Sequence, residues 1–283
     1  MEKRIDLHVH TTASDGTESP AQIVALAKDT GLAAIAITDH DSVAGISEAQ
    51  ETGAALGVEV IAGIEISTDY QGREVHVVGL FIDPASPALR PVLDWAVNER
   101  VSRNEKIVAA LAADGFDVSM QALLSVSPGS VLGRPHIAEM LMKKGYVASV
   151  QEAFDRYLGE GRPYYRDREL MAMERAISIA IAAGGIPVLA HPLQYGYDDT
   201  GREALISAAK AAGCLALEAY YAEHSPSEQA LMLQSAARHG LAVSGGSDYH
   251  GSRKPHIRLG SGIENGLCVP YSVLENLKQM STS

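Results

Sequence analysis

Six histidines of this chain (His8, His10, His40, His76, His191 and His250) sit at or near the ends of short apolar runs that read as strands, with carboxylates nearby. The first group is Asp6-Leu7-His8-Val9-His10. Alternate residues of a strand share a face, so His8 and His10 point one way and Leu7 and Val9 the other. Two imidazoles about 7 Å apart along one strand face can grip a single cation. Asp6 shares their parity and is expected to orient an imidazole from behind. Asp15 follows in the loop TTASDGT, and His40 ends AAIAITDHD, where Asp39 and Asp41 read as supporting or helix-capping residues. Glu65 lies inside the apolar run VEVIAGIEIS. Burying an unpaired carboxylate costs several kcal/mol, so it needs a strong partner. His76 in REVHVVGLFI is in the same position, His191 ends IPVLAHP, and SGGSDYHG supplies Asp248 and His250. One such histidine is ordinarily a core residue with one hydrogen-bond partner. Five strand ends carrying them together point to a polynuclear metal site, because ligand sites of parallel α/β folds gather at the carboxyl ends of strands. Imidazole and carboxylate without thiolate suit Mn, Fe or Zn.

The strand candidates are Arg4 to His10, Ala33 to Thr38, Val58 to Ser67, Glu74 to Ile82, Ile186 to Ala190, Cys214 to Ala219 and Leu241 to Ser244. Helical patterns at Pro20 to Asp29, Ser42 to Leu56, Gly201 to Ala212 and Pro226 to His239 alternate with them, which predicts a mainly parallel α/β fold. Only TDYQGR separates the third and fourth strands, so those two form a hairpin. From Leu89 to Ala182 the pattern is helical with no convincing strand. The expected organisation is therefore residues 1–88 and 183–283 as two parts of one α/β body, with a helical insertion over 89–182. The tail after Leu277 is expected to fray.

With 23 basic and 35 acidic side chains the formal charge is −12, which argues against binding long nucleic acid through broad charge alone. No apolar run approaches the ~18 residues needed to span a bilayer. The N-terminal stretch lacks the apolar core of a secretory signal, and two cysteines, Cys214 and Cys268, make no disulfide framework; a cytoplasmic setting is the expectation.

The segments IDLHVHTTASDGT, ITDHD, GIEIS, VHVVGLF, LAHP and SGGSDYH together resemble, in order and over most of the chain, the PHP (polymerase and histidinol phosphatase) family of metal-dependent phosphoesterases. The resemblance implies a distorted barrel of seven strands holding three divalent ions, manganese first, with iron or zinc as alternatives. It implies that His8, His10, Glu65 and Asp248 hold the first ion. Glu65, His76 and His191 would hold the second, and Asp15, His40 and His250 the third. Glu65, Asp248 and His191 are then the catalytic residues, around a hydroxide bridging two ions.

Gly133-Arg134-Pro135-His136 reads as a helix start, where free N–H groups favour anions, so Arg134 and His136 are expected to clamp a second phosphate. GRPYYRDR adds Tyr165 among arginines, suited to stacking and phosphate contact, and LEAYYAEHS adds Tyr220, Tyr221 and His224 at the rim. The RPHIA segment and the helical insertion resemble the branch of nucleoside 3′,5′-bisphosphate phosphatases that also act as 5′→3′ exonucleases on short RNA. The implied reaction removes the 3′-phosphate and leaves the 5′-monophosphate. The implied partners are a nucleotide and short 5′-phosphorylated RNA, with neither long duplex nor membrane. The competing readings are a histidinol-phosphate phosphatase and a metal-binding proofreading module working with a polymerase.

Overall fold

The computed structural model describes residues 3–281. Strands and helices alternate at first: β1 (Arg4–Val9), α1 (Pro20–Asp29), β2 (Leu32–Ile37), α2 (Ile46–Leu56), then β3 (Glu59–Tyr70) and β4 (Arg73–Leu80). Four helices follow, α3 (Arg90–Ala113), α4 (Met120–Val126), α5 (Arg134–Lys143) and α6 (Val150–Ala153), the last continued by a π-turn over Phe154–Leu158. The chain returns through β5 (Met171–Ala172), α7 (Met173–Ala182), β6 (Ile186–Leu189), α8 (Asp199–Ala211), β7 (Ala216–Tyr221), α9 (Pro226–His239) and β8 (Ala242–Gly246). It ends with β9 (Val269–Pro270) and α10 (Tyr271–Ser281). Among the described residues no helix is long and apolar enough to cross a membrane.

The sheet runs β8-β7-β6-β4-β3-β2-β1-β9, with β5 beside β3. Parallel pairing dominates, and β4 is antiparallel to both β3 and β6. Seven strands make the wall, as expected, and the two-residue strands β5 and β9 add to it. The wall closes between β1 and the segment after β8. There Asp248 N–H donates to the His8 carbonyl (2.9 Å) and His10 N–H to the Tyr249 carbonyl (3.0 Å).

Asp6 secures this closure and orients no imidazole, contrary to the sequence reading. Its fully buried carboxylate accepts from Ser247 N–H (2.8 Å), the Ser247 hydroxyl and Gly260 N–H (2.8 Å). Its own-strand contact is the backbone N–H of His8, at 3.3 Å. Burial lifts its pKa to about 6, against the hydrogen bonds from Ser247, Gly260 and His8. Gly246 completes the seam by lacking a side chain: a Cβ there would lie 2.4 Å from His8 N and 2.7 Å from Asp6 Oδ1.

Three local expectations change. The β3–β4 turn is tighter than TDYQGR implied, because Gln71 (φ 54°) and Gly72 (φ 80°) form a two-residue turn with both residues left-handed, matching strand twist. The middle third does hold a strand, β5, too short to leave a periodic signal. The C-terminal segment does not fray at Leu277: α10 runs to Ser281 with Val273, Leu274 and Leu277 buried on its inner face.

Two cores meet along α3. Val92 near its start belongs to the barrel core, whereas Ile107 and Leu111 join Leu123, Ile137, Leu141 and Leu158 in a separate cap core. Met173, Ala176 and Ile177 of α7 lie in the barrel core. The middle of α3 therefore stands at the junction of barrel and cap, and that is where Arg100, Arg103 and Asn104 are buried.

Because the seam has no room for a methyl group, Gly246→Ala is expected to lower stability by about 1–3 kcal/mol. Urea denaturation checks this: the midpoint should fall with an unchanged slope.

Candidate metal centre

β1 carries His8 toward the barrel axis and delivers His10 just past its end; both are enclosed. β3 brings Glu65 to the same point. Glu65 Oε2 lies 3.2 Å from His8 Nε2, 3.2 Å from His10 Nε2 and 3.1 Å from His40 Nδ1. Its Oε1 lies 2.9 Å from His76 Nδ1 and 3.0 Å from His191 Nε2. Asp248 Oδ1 is 3.1 Å from His10 Nε2 and 3.6 Å from His8 Nε2. Asp15 faces His250 Nε2 at 3.3 Å, His10 Nδ1 at 3.7 Å and His40 Nε2 at 4.0 Å. The nine expected ligands thus converge on one place.

Three overlapping groups come close enough to share an ion: His8-His10-Glu65-Asp248, His40-Glu65-His76 and His10-Asp15-His40-His250. His191 reaches the centre through Glu65, and a fourth group joins His8, His191 and Glu218. Several of these atoms are buried with no hydrogen-bond partner: His8 Nε2, both ring nitrogens of His10, His40 Nδ1 and Glu65 Oε2. Buried polar atoms are otherwise almost always paired. Unpaired imidazole and carboxylate atoms aimed at one another are a donor set that fits divalent cations.

The charges agree. Burial alone would raise Glu65, yet the imidazoles of His40, His8 and His76 outweigh it and hold the carboxyl well below its usual range. Burial opposes charge on His10, but Asp248 and Glu65 hold it at about 9; Glu65 and Glu74 likewise hold His76 at about 10. Burial takes His40 the other way, to about 3. Protons thus balance carboxylates that cations would otherwise neutralise, and cation binding must displace those protons.

The supporting residues are fixed by local structure. Asp39 accepts from Thr11 N–H (2.7 Å), the Thr11 hydroxyl (2.7 Å) and the Ser14 hydroxyl (2.6 Å), and so shapes the loop that presents Asp15. Asp41 accepts from Ser67 N–H at 3.2 Å and binds the Arg100 guanidinium at 2.7 Å. Asp41, His191 and Asp248 all have left-handed backbones, with φ of 50°, 26° and 55°. Such strain persists only where surrounding contacts over-determine it.

Glu218 escaped the sequence reading. Its Oε1 sits 3.0 Å from His8 Nδ1, and its Oε2 accepts from His191 N–H at 2.8 Å, so one carboxylate orients both. The signal was present, since a carboxylate inside CLALEAYY has the same difficulty as Glu65. Tyr221 donates to Asp248 Oδ2 (2.9 Å), and Lys254 binds the same oxygen (2.6 Å).

The expected substrate residues divide. Arg134 lines the cavity of about 520 Å³ over the cluster, with its guanidinium 5.1 Å from the Tyr165 ring centre. Tyr165 borders an adjoining cavity that Arg134 also lines. His136 is not at the cavity surface. Its Nδ1 accepts from Gly133 N–H at 3.0 Å, capping its own helix, and burial lowers it to about 4. His224 also stands back: its Nδ1 faces the Ala219 carbonyl (3.1 Å) and its ring packs on Tyr221, which does line the cavity.

Arg100, Arg103 and Arg168 border a cavity of about 170 Å³ that shares Asp15, His40, His76 and Arg134 with the cluster cavity. Among the described residues Arg103 hydrogen-bonds only Asn104 Oδ1 (3.1 Å) and has no carboxylate in ion-pair contact. Burial first, then Arg100, Arg168 and Arg134, disfavour its charge. Arginine keeps its proton in proteins, so this cost is relieved by an anion rather than by deprotonation.

A family model described as PHP domain matches residues 6–160. A "5′-3′ exoribonuclease" of Haemophilus influenzae is 35% identical over 250 residues, covering 88% of this chain and 91% of that one. A "3′,5′-nucleoside bisphosphate phosphatase" of Chromobacterium violaceum is 35% identical over 250 residues, covering 87% of each. A "phosphoribosyl 1,2-cyclic phosphate 1,2-diphosphodiesterase" of Eggerthella lenta is 32% identical over 258 residues, covering 89% and 97%. A crystal structure from Bifidobacterium adolescentis, assigned as a metal-dependent phosphoesterase, superposes with a TM-score of 0.87 at 29% identity, covering 97% of this chain and 95% of that one. Together with the convergent cluster, these likenesses show that the chain belongs to the PHP domain family, as a hydrolase acting on phosphoester bonds.

Proposed function

We propose that the enzyme removes the 3′-phosphate from nucleoside 3′,5′-bisphosphates, leaving the 5′-monophosphate. The observation that carries this is the arginine basket beside the cluster. Among the described residues the ion-pair partners of Arg100, Arg103, Arg134 and Arg168 are Asp41 and Glu74, and Asp15 also lines their cavity, so four guanidinium groups meet three carboxylates and leave net positive charge for a phosphate. Guanidinium groups bind phosphate through paired, charge-assisted hydrogen bonds.

With the 5′-phosphate in the basket, the 3′-phosphate falls over Glu65 and its imidazoles. Three divalent cations, manganese first, would be held by His8, His10, Glu65 and Asp248, by Glu65, His76 and His191, and by Asp15, His40 and His250. Bound there, they would supply Lewis-acid polarisation of the phosphoryl group and a nucleophile at neutral pH. The protein's own work is positioning. Glu218 holds His8 and His191, Tyr221 and Lys254 hold Asp248, and Arg253 and Lys254 face the transferring phosphate from the cavity wall. Fixing both phosphates turns in-line attack into a matter of geometry. A phosphodiester at the 3′ position presents the same scissile bond, so short 5′-phosphorylated RNA is the natural second substrate. Histidinol phosphate fits poorly, because its ammonium group would meet the cationic basket.

Phosphate release should be compared on adenosine 3′,5′-bisphosphate, AMP, histidinol phosphate and a phosphoribosyl 1,2-cyclic phosphate, with Asp248→Asn as the control for contamination. The bisphosphate should lead, and Arg103→Ala should raise its KM ten- to a hundredfold, about 1.5–3 kcal/mol for a lost charged hydrogen bond, with kcat little changed. Equal rates on all substrates, or an unchanged KM, would overturn the basket reading. Metal stripping gives a second test. Manganese added at a hundred times its Kd should stabilise the apoprotein by about 2.7 kcal/mol in thermal denaturation, and Glu65→Gln should abolish the gain.

A further inference from the structure

The arginine basket and a second opening both lead to the cluster cavity, and they share no lining residue with each other. The second opening is a groove of about 500 Å³ that meets the cluster cavity at Val150, Gln151 and Arg253. Its walls include Ala148, His256 and the exposed side chain of Met142. The groove runs on through Ser252 and Pro255 into a cavity of about 600 Å³ bordered by Arg4, Tyr249 and Arg258. Among the described residues Glu139 is the one carboxylate lining either space, and it is already bound by Arg253. A chain with a formal charge of −12 has thus left an almost acid-free path, with arginines at both ends and aromatic or sulfur-bearing side chains between. Arg253 stands where the path leaves the cluster, and its buried Nε has no hydrogen-bond partner.

We propose that this path is the exit track for the 3′ continuation of a single-stranded, 5′-phosphorylated RNA, which rests on the bisphosphate reading above. A cationic groove interleaved with stacking surfaces is the general means of holding a single strand without reading its sequence. The first nucleotide lies between basket and cluster, and the second is attached through the scissile phosphate, so it must leave the cluster on the side away from the basket. The water oxygen bonds to phosphorus, the bond from phosphorus to the first nucleotide's 3′ oxygen breaks, and one water proton ends on that oxygen. The shortened RNA keeps the phosphate as its new 5′ group, which is the group that the basket binds. Basket and track at separate mouths of one cavity therefore let the enzyme shorten RNA one nucleotide at a time.

The test uses the manganese-loaded full chain with adenosine 3′,5′-bisphosphate, a 5′-phosphorylated dinucleotide and a 5′-phosphorylated pentanucleotide. Ala148→Trp fills the groove near the cluster; Arg258→Glu reverses charge at the far end. Ala148→Trp should lower kcat/KM at least tenfold on both oligonucleotides and leave the bisphosphate within twofold. Arg258→Glu should leave the dinucleotide within twofold and lower the pentanucleotide at least fivefold. Binding of a 3′-fluorescein pentanucleotide, read by anisotropy, should weaken in both variants. If the two variants bind and cleave the pentanucleotide as the parent does, or if Ala148→Trp slows the bisphosphate equally, the track is refuted. Failure of the underlying reading looks different: no phosphate is released from the bisphosphate by the parent enzyme, while the anisotropy comparison still decides the track.

Discussion

One carboxylate surrounded by five imidazoles is the constraint on which this structure depends. Glu65 is enclosed in the barrel with His8, His10, His40, His76 and His191 around its two oxygens. Such an arrangement is expensive in a low-dielectric interior unless charges balance and polar atoms find partners. Protons balance it in part, and cations would complete it. The nearby backbone is arranged to hold it: the closed seam between β1 and β8, the strained residues at His191 and Asp248, and the second carboxylate at Glu218. Closure at Asp6 and Gly246 matters because His8 and Asp248, which stand on the two sides of the seam, must meet.

In the proposed function the barrel supplies the chemistry and the cap the choice of substrate. Strands β1, β3 and β4 carry His8, Glu65 and His76, and the segments after β1, β2, β6 and β8 carry the other six converging residues, whereas the arginine basket forms where the long helix α3 crosses from barrel core to cap core. Arg100 is tied to Asp41, directly after His40 of the cluster, so the basket and the cluster share a rigid connection.

Much of the cluster was legible in the sequence because strand periodicity is a strict geometric rule. His8 and His10 share parity, and apolar runs broken by His76, Glu65 or His191 mark residues that need a partner. The basket was far less legible. Arg100, Arg103 and Asn104 have the spacing of one helix face, but the sequence marks this segment only as helical, and it is the cap that buries them. His136 misled for a related reason: a helix start that favours anions was correctly located, but the imidazole is consumed in capping it. Asp6 misled because parity shows which face a side chain takes and not what crosses over to meet it; the partner, Ser247, lies 241 residues away. The short strand β5 and the two-residue turn at Gln71-Gly72 are set by tertiary pairing and backbone handedness, neither of which leaves a periodic trace.

The most direct test of the central claim is a crystal structure of the manganese-soaked protein with adenosine 5′-monophosphate, using anomalous scattering at the manganese edge. The account predicts anomalous peaks among the nine ligands, centred on Glu65, with the 5′-phosphate against Arg103 and Arg134. Absence of peaks beside Glu65, or a 5′-phosphate seated on the metals with the arginine basket vacant, would contradict it.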